Sequence, residues 1–203
     1  ALEQQLAQFE QQGKSVVMLA DGQQVLAIFA VADTLRPASA AAIADLHALG
    51  IRTLMLTGDN PHTAQAIAAQ VGIDAVHANL LPQDKLHQIS EQVEAGTVVG
   101  MVGDGINDAP ALARAHIGFA MGAAGSDTAI ETADVALMDD DLRKIPEFVR
   151  LSRRTATVLK QNIAIALGIK LVFLAITLAG AGTLWMAVFA DMGASLIVVA
   201  NGL

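Results

Sequence analysis

Two polar loops carry the residue types that could bind a phosphate group. The sequence Thr-Gly-Asp-Asn at residues 57–60 directly follows the apolar run 51–56, and Gly-Asp-Gly-Ile-Asn-Asp at residues 103–108 directly follows the apolar run 98–102. Both runs are predicted to be buried strands. The carboxyl ends of parallel strands are where open α/β sheets bind ligands, and helices beginning after these loops would direct their N-terminal amides at an anion. The two loops therefore predict a phosphate site.

Three charged side chains extend this prediction. Asp104 and Asp108, with small glycine neighbours, suit a hard Mg²⁺ ion that takes one or two carboxylates and leaves room for phosphate oxygens. Lys85 opens a predicted helix after Pro82 and could neutralise the charge of a transferring phosphoryl group. Taken singly, each loop could be an ordinary turn and Lys85 a solvated helix residue.

The elements around these residues alternate between strands and proline-started helices over residues 32–141, which predicts a parallel α/β sheet. Residues 1–31 differ, because a short helix is followed by two strands around an Asp21-Gly22 turn, a hairpin signal. We interpret residues 1–31 as the end of another domain. The basic amphipathic stretch 142–160 is predicted to be a cytoplasmic stalk helix.

Two apolar runs in residues 161–203 predict a transmembrane hairpin. Ile163–Ala181 has 19 residues with one charge, and Leu184–Ala200 has 17 residues with one charge. A pair of core helices in a soluble protein is the alternative. Basic residues precede the first run and the Gly-Ala-Gly turn is uncharged, so the α/β part is expected on the cytoplasmic side.

The charges in these two runs, Lys170 and Asp191, are predicted to lie at matching depth. Each is about 10 or 11 residues from the turn at Ala181, or roughly 15 to 16 Å, near the middle of a hydrocarbon core about 30 Å thick. Charges at that depth usually mark ion or proton pathways, and a structural ion pair is the alternative.

Composition narrows the choice of partners. The formal charge is −8, with no basic stripe of the kind that binds nucleic acid, so no nucleic-acid partner is expected. No cysteine is present, so a metal ion would meet carboxylate, imidazole or carbonyl groups rather than thiolates. The five histidines are scattered without ligand spacing and enter no predicted site.

In this order, Thr-Gly-Asp, Lys85 and Gly-Asp-Gly-x-Asn-Asp-x-Pro resemble the haloacid-dehalogenase-like phosphorylation domain of heavy-metal-transporting P-type ATPases. The resemblance extends over about residues 15–203 and includes Asp-Thr-Leu-Arg-Pro at 33–37. It implies that Thr57 hydrogen-bonds the phosphoryl group, Lys85 contacts it electrostatically and Asp104 ligates Mg²⁺. The remaining implied site residues shape the loop or complete the site: Gly58, Asp59, Asn107 and Asp108.

The resemblance also implies a mechanism, in which ATP with Mg²⁺ phosphorylates an aspartate and the aspartyl phosphate is then hydrolysed, with charge stabilisation supplying most of the catalysis. The family carries that aspartate in an Asp-Lys-Thr-Gly-Thr stretch, which this sequence lacks. We therefore expect a C-terminal fragment that needs the missing upstream part of the same pump and is inactive alone. A soluble phosphatase and a non-catalytic membrane-anchored remnant are the alternatives.

The membrane charges indicate the cargo. Zinc/cadmium/lead exporters resemble this chain in having a Lys in the penultimate span and an Asp in the last, which implies that Asp191 binds the transported cation and Lys170 is its built-in counter-ion. Copper pumps carry Tyr-Asn in the penultimate span, and this chain has no tyrosine; copper is the alternative cargo. The resemblance implies a multi-pass protein of the bacterial plasma membrane, with the lipid bilayer as a partner.

Overall fold

Three long helices of the α/β part each begin at a proline. They are α2 (Pro37–Ala48), α3 (Pro61–Val71) and α4 (Pro82–Glu94). The proline ring fixes a helical φ, and its missing amide hydrogen is not needed in the first turn. Asn60 caps α3 by accepting a hydrogen bond from the Thr63 amide at 2.9 Å, and the Asp84 carboxylate accepts one from the Leu81 amide ahead of α4 at 2.8 Å.

The structure is a computed structural model that describes residues 2–11, 14–22, 24–32, 35–104, 106–122 and 127–202. The chain forms two compact units, residues 1–146 and residues 147–203, which we call the α/β unit and the helical unit. The predicted segment boundaries at 31/32, 141/142 and 160/161 stay predictions.

The remaining elements of the α/β unit are short. The helices are α1 (Leu2–Gln11), α5 (Ala109–Arg114) after a 3₁₀ turn at Ile106–Asp108, and α6 (Asp127–Thr132). The strands are β1 (Lys14–Ala20), β2 (Val25–Ala32), β3 (Leu54–Leu56), β4 (Ala75–His77), β5 (Gly100–Gly103), β6 (Ile117–Met121) and β7 (Val135–Leu137).

The strands pair in three groups. β1 and β2 form the expected antiparallel hairpin, from Lys14 opposite Ala32 to Ala20 opposite Val25. β3 pairs in parallel with β4, and β5, β6 and β7 form a parallel sheet in that order. Strand β4 was not predicted, because three residues give too short an apolar run to signal a strand. Within the described residues β3 and β5 are not paired with each other.

Buried apolar side chains bring the layers together. One buried cluster joins Ile89 of α4 and Leu112 of α5 to Met101 and Ala120 of the sheet. Gly118 lets α5 approach β6, because a β-carbon there would lie 3.0 Å from the Leu112 carbonyl oxygen. On the opposite face, Phe119, Leu137 and Ile145 form a second cluster. Helices on both faces of the parallel strands agree with the predicted α/β class.

The two apolar runs form helices long enough to cross a membrane. Helix α7 spans Lys144–Leu178 and α8 spans Leu184–Gly202. The predicted stalk and first span are thus one continuous helix. It ends at Leu178, three residues before the predicted limit, because Gly180 adopts a left-handed φ of 79° and the Ala181 amide donates back to the Ile176 carbonyl.

A carboxylate joins the amino ends of β3 and β4. Asp74 accepts hydrogen bonds from the Thr53 amide at 2.7 Å and the Thr53 hydroxyl at 2.9 Å, and its Oδ2 lies 3.0 Å from His47 Nε2. The backbone bond from Thr53 first, and then its hydroxyl, hold the pKa of Asp74 below its ordinary value.

Asp74→Asn is therefore expected to lower the urea midpoint of the α/β unit at neutral pH. Because the folded pKa is lowered, the contribution of Asp74 is complete above its unfolded pKa of about 3.9 and disappears as the pH falls through the folded pKa. The gap between wild type and variant, followed by far-UV circular dichroism, should narrow below about pH 4. The control Asp139→Asn, in an exposed turn, should show no such gap, and a gap that does not change with pH would contradict the assignment.

Candidate functional site

The first predicted loop leaves β3 at Thr57. The Thr57 amide donates to the His77 carbonyl of β4, and the Leu80 amide donates to the Thr57 carbonyl, both at 3.0 Å. The Thr57 hydroxyl donates to the Asp59 carboxylate at 2.8 Å and accepts from the Asp59 amide at 3.1 Å. Asp59 therefore orients the Thr57 hydroxyl, which the family resemblance implies is a hydrogen-bond partner of the phosphoryl group.

Gly58 and Asn60 complete the turn between β3 and α3. A β-carbon at Gly58 would lie 3.3 Å from the Leu80 carbonyl oxygen, so a larger residue would press on the neighbouring loop. Asn60 caps α3, which begins directly after it. The turn thus places Thr57 and Gly58 beside the N-terminus of a helix of 11 residues, where the helix dipole favours an anion.

The second predicted loop leaves β5 and carries Asp108. Lys85 of α4 donates from Nζ to Asp108 Oδ1 at 2.9 Å, and the two side chains are 18% and 12% exposed. A β-carbon at Gly103 would lie 2.7 Å from Asp108 Cβ. Only glycine at position 103 allows Asp108 to fold back over the end of β5 toward Lys85.

The other predicted residues of this loop lie further out. Asp104 and Asn107 are exposed, and Gly105 falls outside the described residues. Asp104 lines a cavity of about 220 Å³ together with Arg36, Ser39 and Asp140. The structure thus brings Thr57 to Asp59 and Lys85 to Asp108, while Asp104 lines the cavity shared with Arg36. The roles given to these residues by the sequence stay predictions.

Arg36 was not singled out as a site residue by the sequence. Its guanidinium donates to the Asp140 carbonyl at 3.0 Å, across 104 positions of chain, and both residues line the cavity beside Asp104. The sequence signal was its place in the Asp-Thr-Leu-Arg-Pro stretch, whose first two residues lie outside the described ranges. A single arginine before a helix gives no indication of so distant a partner.

The carboxylates at the end of β5 fit a magnesium ion. Asp104 is exposed and Asp108 has one oxygen on Lys85, which leaves its second oxygen near the Gly103 backbone. Oxygen ligands from one or two carboxylates, with substrate phosphates supplying others, are what Mg²⁺ takes in such sites. Asp104 and Asp108 would hold the ion.

In the helical unit, the two predicted membrane charges meet. Lys170 Nζ of α7 lies 3.9 Å from Asp191 Oδ1 of α8. Their side chains are 66% and 75% exposed, so the hairpin itself covers little of either charge. Toward the turn between α7 and α8, a cavity of about 230 Å³ begins at this pair and includes Thr177, Thr183 and Met186.

Asn201 and Asn162 join the other end of the hairpin. The Asn201 side-chain amide donates to the Asn162 side-chain carbonyl at 2.9 Å, which links α8 to α7. Both pairs agree with an antiparallel hairpin, because the higher number in α7 pairs with the lower number in α8. Within the described residues, no group of three or more His, Cys, Asp or Glu side chains gathers that could hold a metal ion.

The Thr57 loop and the pair of Lys85 and Asp108 follow the carboxyl ends of parallel strands, which is the edge where open α/β sheets bind ligands. The chain belongs to the haloacid dehalogenase-like hydrolase family, whose model matches residues 1–116. This confirms the predicted fold class.

Relatives along the whole chain are more specific. It is 52% identical, over its full length, to a probable cadmium-transporting ATPase of Listeria monocytogenes, and 47% identical, over 97% of its length, to a zinc/cadmium/lead-transporting P-type ATPase of Escherichia coli (strain K12). The chain spans 29% and 26% of those two proteins. The predicted resemblance to heavy-metal P-type ATPases is therefore confirmed.

A solved structure agrees with both units. The crystal structure of a zinc-transporting PIB-type ATPase in the E2.Pi state matches all of this chain and 33% of that chain, with a TM-score of 0.88 and 46% identity.

Gly103→Ala should displace Asp108 and break its ion pair with Lys85. Overpacking of this kind costs about 1 to 3 kcal/mol, measured as a lower free energy of unfolding of the α/β unit in urea. Gly100→Ala, in the same strand, is the matched control, because its β-carbon would lie 3.5 Å from the nearest atom, an ordinary contact. Equal losses in the two variants would show that Gly103 has no special relation to Asp108.

Proposed function

We propose that this chain is the phosphorylation-domain and last-hairpin portion of a P-type ATPase that exports divalent heavy-metal cations, with Zn²⁺, Cd²⁺ and Pb²⁺ as cargo. One observation carries the proposal. A single chain joins a phosphate-type edge, where Lys85 meets Asp108, to an apolar hairpin in which Lys170 meets Asp191. A soluble phosphatase does not require an ion pair such as Lys170 with Asp191 within an apolar hairpin.

The phosphoryl chemistry would occur between the two loops. Thr57 follows β3 and Asp104 follows β5. Within the described residues these two strands do not pair with each other, so each has one edge without a partner strand. A further parallel strand between them would bring its own carboxyl end beside Thr57, Lys85 and Asp108. We place the phosphorylated aspartate of the complete pump there, since the Asp-Lys-Thr-Gly-Thr stretch of the family is not in this sequence.

The residues of this chain would then stabilise charge rather than transfer protons. The Thr57 hydroxyl would turn its single hydrogen from Asp59 to a phosphoryl oxygen, the α3 N-terminus would add amide donors, and the Lys85 ammonium would add positive charge. Asp104 and Asp108 would hold Mg²⁺, whose positive charge would offset negative charge that develops on the phosphoryl group. Asp108 would hold Lys85 in place at the site.

The cargo site would be at Asp191. A carboxylate suits a borderline divalent cation such as Zn²⁺ better than soft Cu⁺. Lys170 would cancel the negative charge of Asp191 after the cation leaves, which avoids an unpaired carboxylate at low dielectric. The exposure of both side chains supports a site completed by other spans of the pump. The names of the relatives, which include cadmium and zinc, support the same cargo.

We also propose that the α/β unit lies on the cytoplasmic side of the plasma membrane, where ATP is available. The basic residues before the apolar part of α7 and the uncharged turn after it support that assignment.

The test is metal-stimulated ATP hydrolysis by the complete pump in liposomes, in wild type and in Asp191→Ala. Zn²⁺ should stimulate the wild type, and Asp191→Ala should reduce that stimulation by more than the roughly 10- to 100-fold that loss of an outer-shell partner costs a metal site. Asp139→Asn removes a carboxylate from an exposed turn of the α/β unit and should leave the stimulation by Zn²⁺ unchanged.

Two results would decide against parts of the proposal. Stimulation by Cu⁺ in place of Zn²⁺ would refute the cargo. Normal Zn²⁺ stimulation of Asp191→Ala would refute the ligand role of Asp191 and leave the phosphoryl chemistry intact.

A further inference from the structure

Four basic residues lie on one side of α7 just before its apolar part. They are Arg150, Arg153, Arg154 and Lys160, and we call them the basic face. All four are exposed, and residues 150–160 contain no acidic residue. The chain as a whole has 12 basic and 20 acidic residues, so a third of its positive charge is gathered in three turns of one helix.

Helical geometry gives this charge a direction. At 3.6 residues per turn, the four positions fall within an arc of about 120° around the helix axis. Leu151 and Leu159 lie outside that arc. Residues 144–178 form one helix without a break, so the basic face and the apolar part of α7 share one rigid axis.

The ion pair in the hairpin sets the depth of the basic face, and this step rests on the membrane placement proposed above. With Lys170 near the midplane, Lys160 lies about 15 Å away along the axis, at the edge of a hydrocarbon core about 30 Å thick. Arg153 and Arg154 lie about 24 to 26 Å from the midplane. The headgroups reach about 20 to 22 Å, so both long side chains can contact them.

Arg150 is further out, at about 30 Å from the midplane. It is about 8 to 10 Å beyond the headgroups, within one Debye length of the charged surface. The positive charge of α7 therefore starts at the hydrocarbon edge and extends through the headgroup layer.

The chemistry of these groups selects an anionic phosphate. Guanidinium groups bind phosphate oxygens through two parallel hydrogen bonds, and Lys160 adds a point charge at the boundary where lipid phosphates lie. A lipid with net negative charge gains from all four cations, whereas a zwitterionic lipid carries its own ammonium group and gains little.

We propose that the basic face of α7 is a binding surface for anionic phospholipid headgroups of the cytoplasmic leaflet. Its function is to hold α7 at a fixed depth, and with it the Lys170 and Asp191 pair at the membrane midplane. Juxtamembrane basic residues each contribute about 1 kcal/mol to binding an anionic surface, or about five-fold in affinity.

The test is lipid retention by the complete 203-residue chain in detergent, measured by native mass spectrometry. Phosphatidylglycerol and phosphatidylcholine with identical acyl chains are added in equal amounts. The wild type should retain phosphatidylglycerol in preference to phosphatidylcholine. Arg153→Gln/Arg154→Gln should reduce that preference by about 25-fold, the product of two five-fold losses.

Matched variants separate this effect from general charge and from misfolding. Arg52→Gln/Arg114→Gln removes the same charge from the α/β unit and should keep the preference. Arg153→Lys/Arg154→Lys should restore most of it, and all variants should keep the wild-type helical circular dichroism. Inorganic phosphate should not compete, because the surface requires a lipid.

The proposal fails if Arg153→Gln/Arg154→Gln keeps the wild-type preference, or if Arg52→Gln/Arg114→Gln loses it equally. It also fails if inorganic phosphate displaces the lipid. ATP hydrolysis is not part of the measurement, so these outcomes are independent of whether the pump function and its cargo are correct.

Discussion

The ion pair between Lys85 and Asp108 is the contact on which the rest of the candidate phosphate site depends. It joins α4 to the loop after β5, and both side chains are largely removed from solvent. A charge in such a position is costly unless it is paired and hydrogen-bonded. The pair in turn requires Gly103, because any β-carbon there would occupy the space of Asp108. It also requires α4 to begin at Pro82, so that Lys85 lies in the first turn. Sequence features at two separate places, Gly103 and Pro82, thus act on one contact of 2.9 Å.

The helical unit obeys a different constraint, since in the proposed pump the apolar parts of its helices would be surrounded by hydrocarbon. Backbone groups are satisfied within α7 and α8, and the few polar side chains meet across the hairpin, as Asn162 does with Asn201 and Lys170 with Asp191. The two ion pairs of the chain described above differ in exposure, because Lys85 and Asp108 are 18% and 12% exposed whereas Lys170 and Asp191 are 66% and 75% exposed. Lys170 and Asp191 remain mostly uncovered by the hairpin, which is the arrangement expected of side chains that face other spans rather than lipid.

Like the exposed charges of the hairpin, the unpaired strand edges of the α/β unit are polar groups that need a partner. A sheet edge has amide and carbonyl groups that need hydrogen-bond partners, and within the described residues β3 and β5 each have one edge that pairs with no strand. In the proposed pump these edges and the uncovered membrane charges are both filled by the same polypeptide. The candidate phosphate site and the cation site would therefore be completed together.

The sequence by itself determined the elements, the division into an α/β part and an apolar helical part, and the candidate residues, because these depend on local patterns. Proline at helix starts, apolar runs of 17 and 19 residues and glycine-rich loops after strands act through a few neighbouring residues, and the structure has the elements they predict. Strand β4, the bond from Arg36 to the Asp140 carbonyl and the pairing of Lys85 with Asp108 were decided only by the tertiary structure. Each depends on contacts between residues more than 20 positions apart, and no local pattern specifies which distant group will fill a given space.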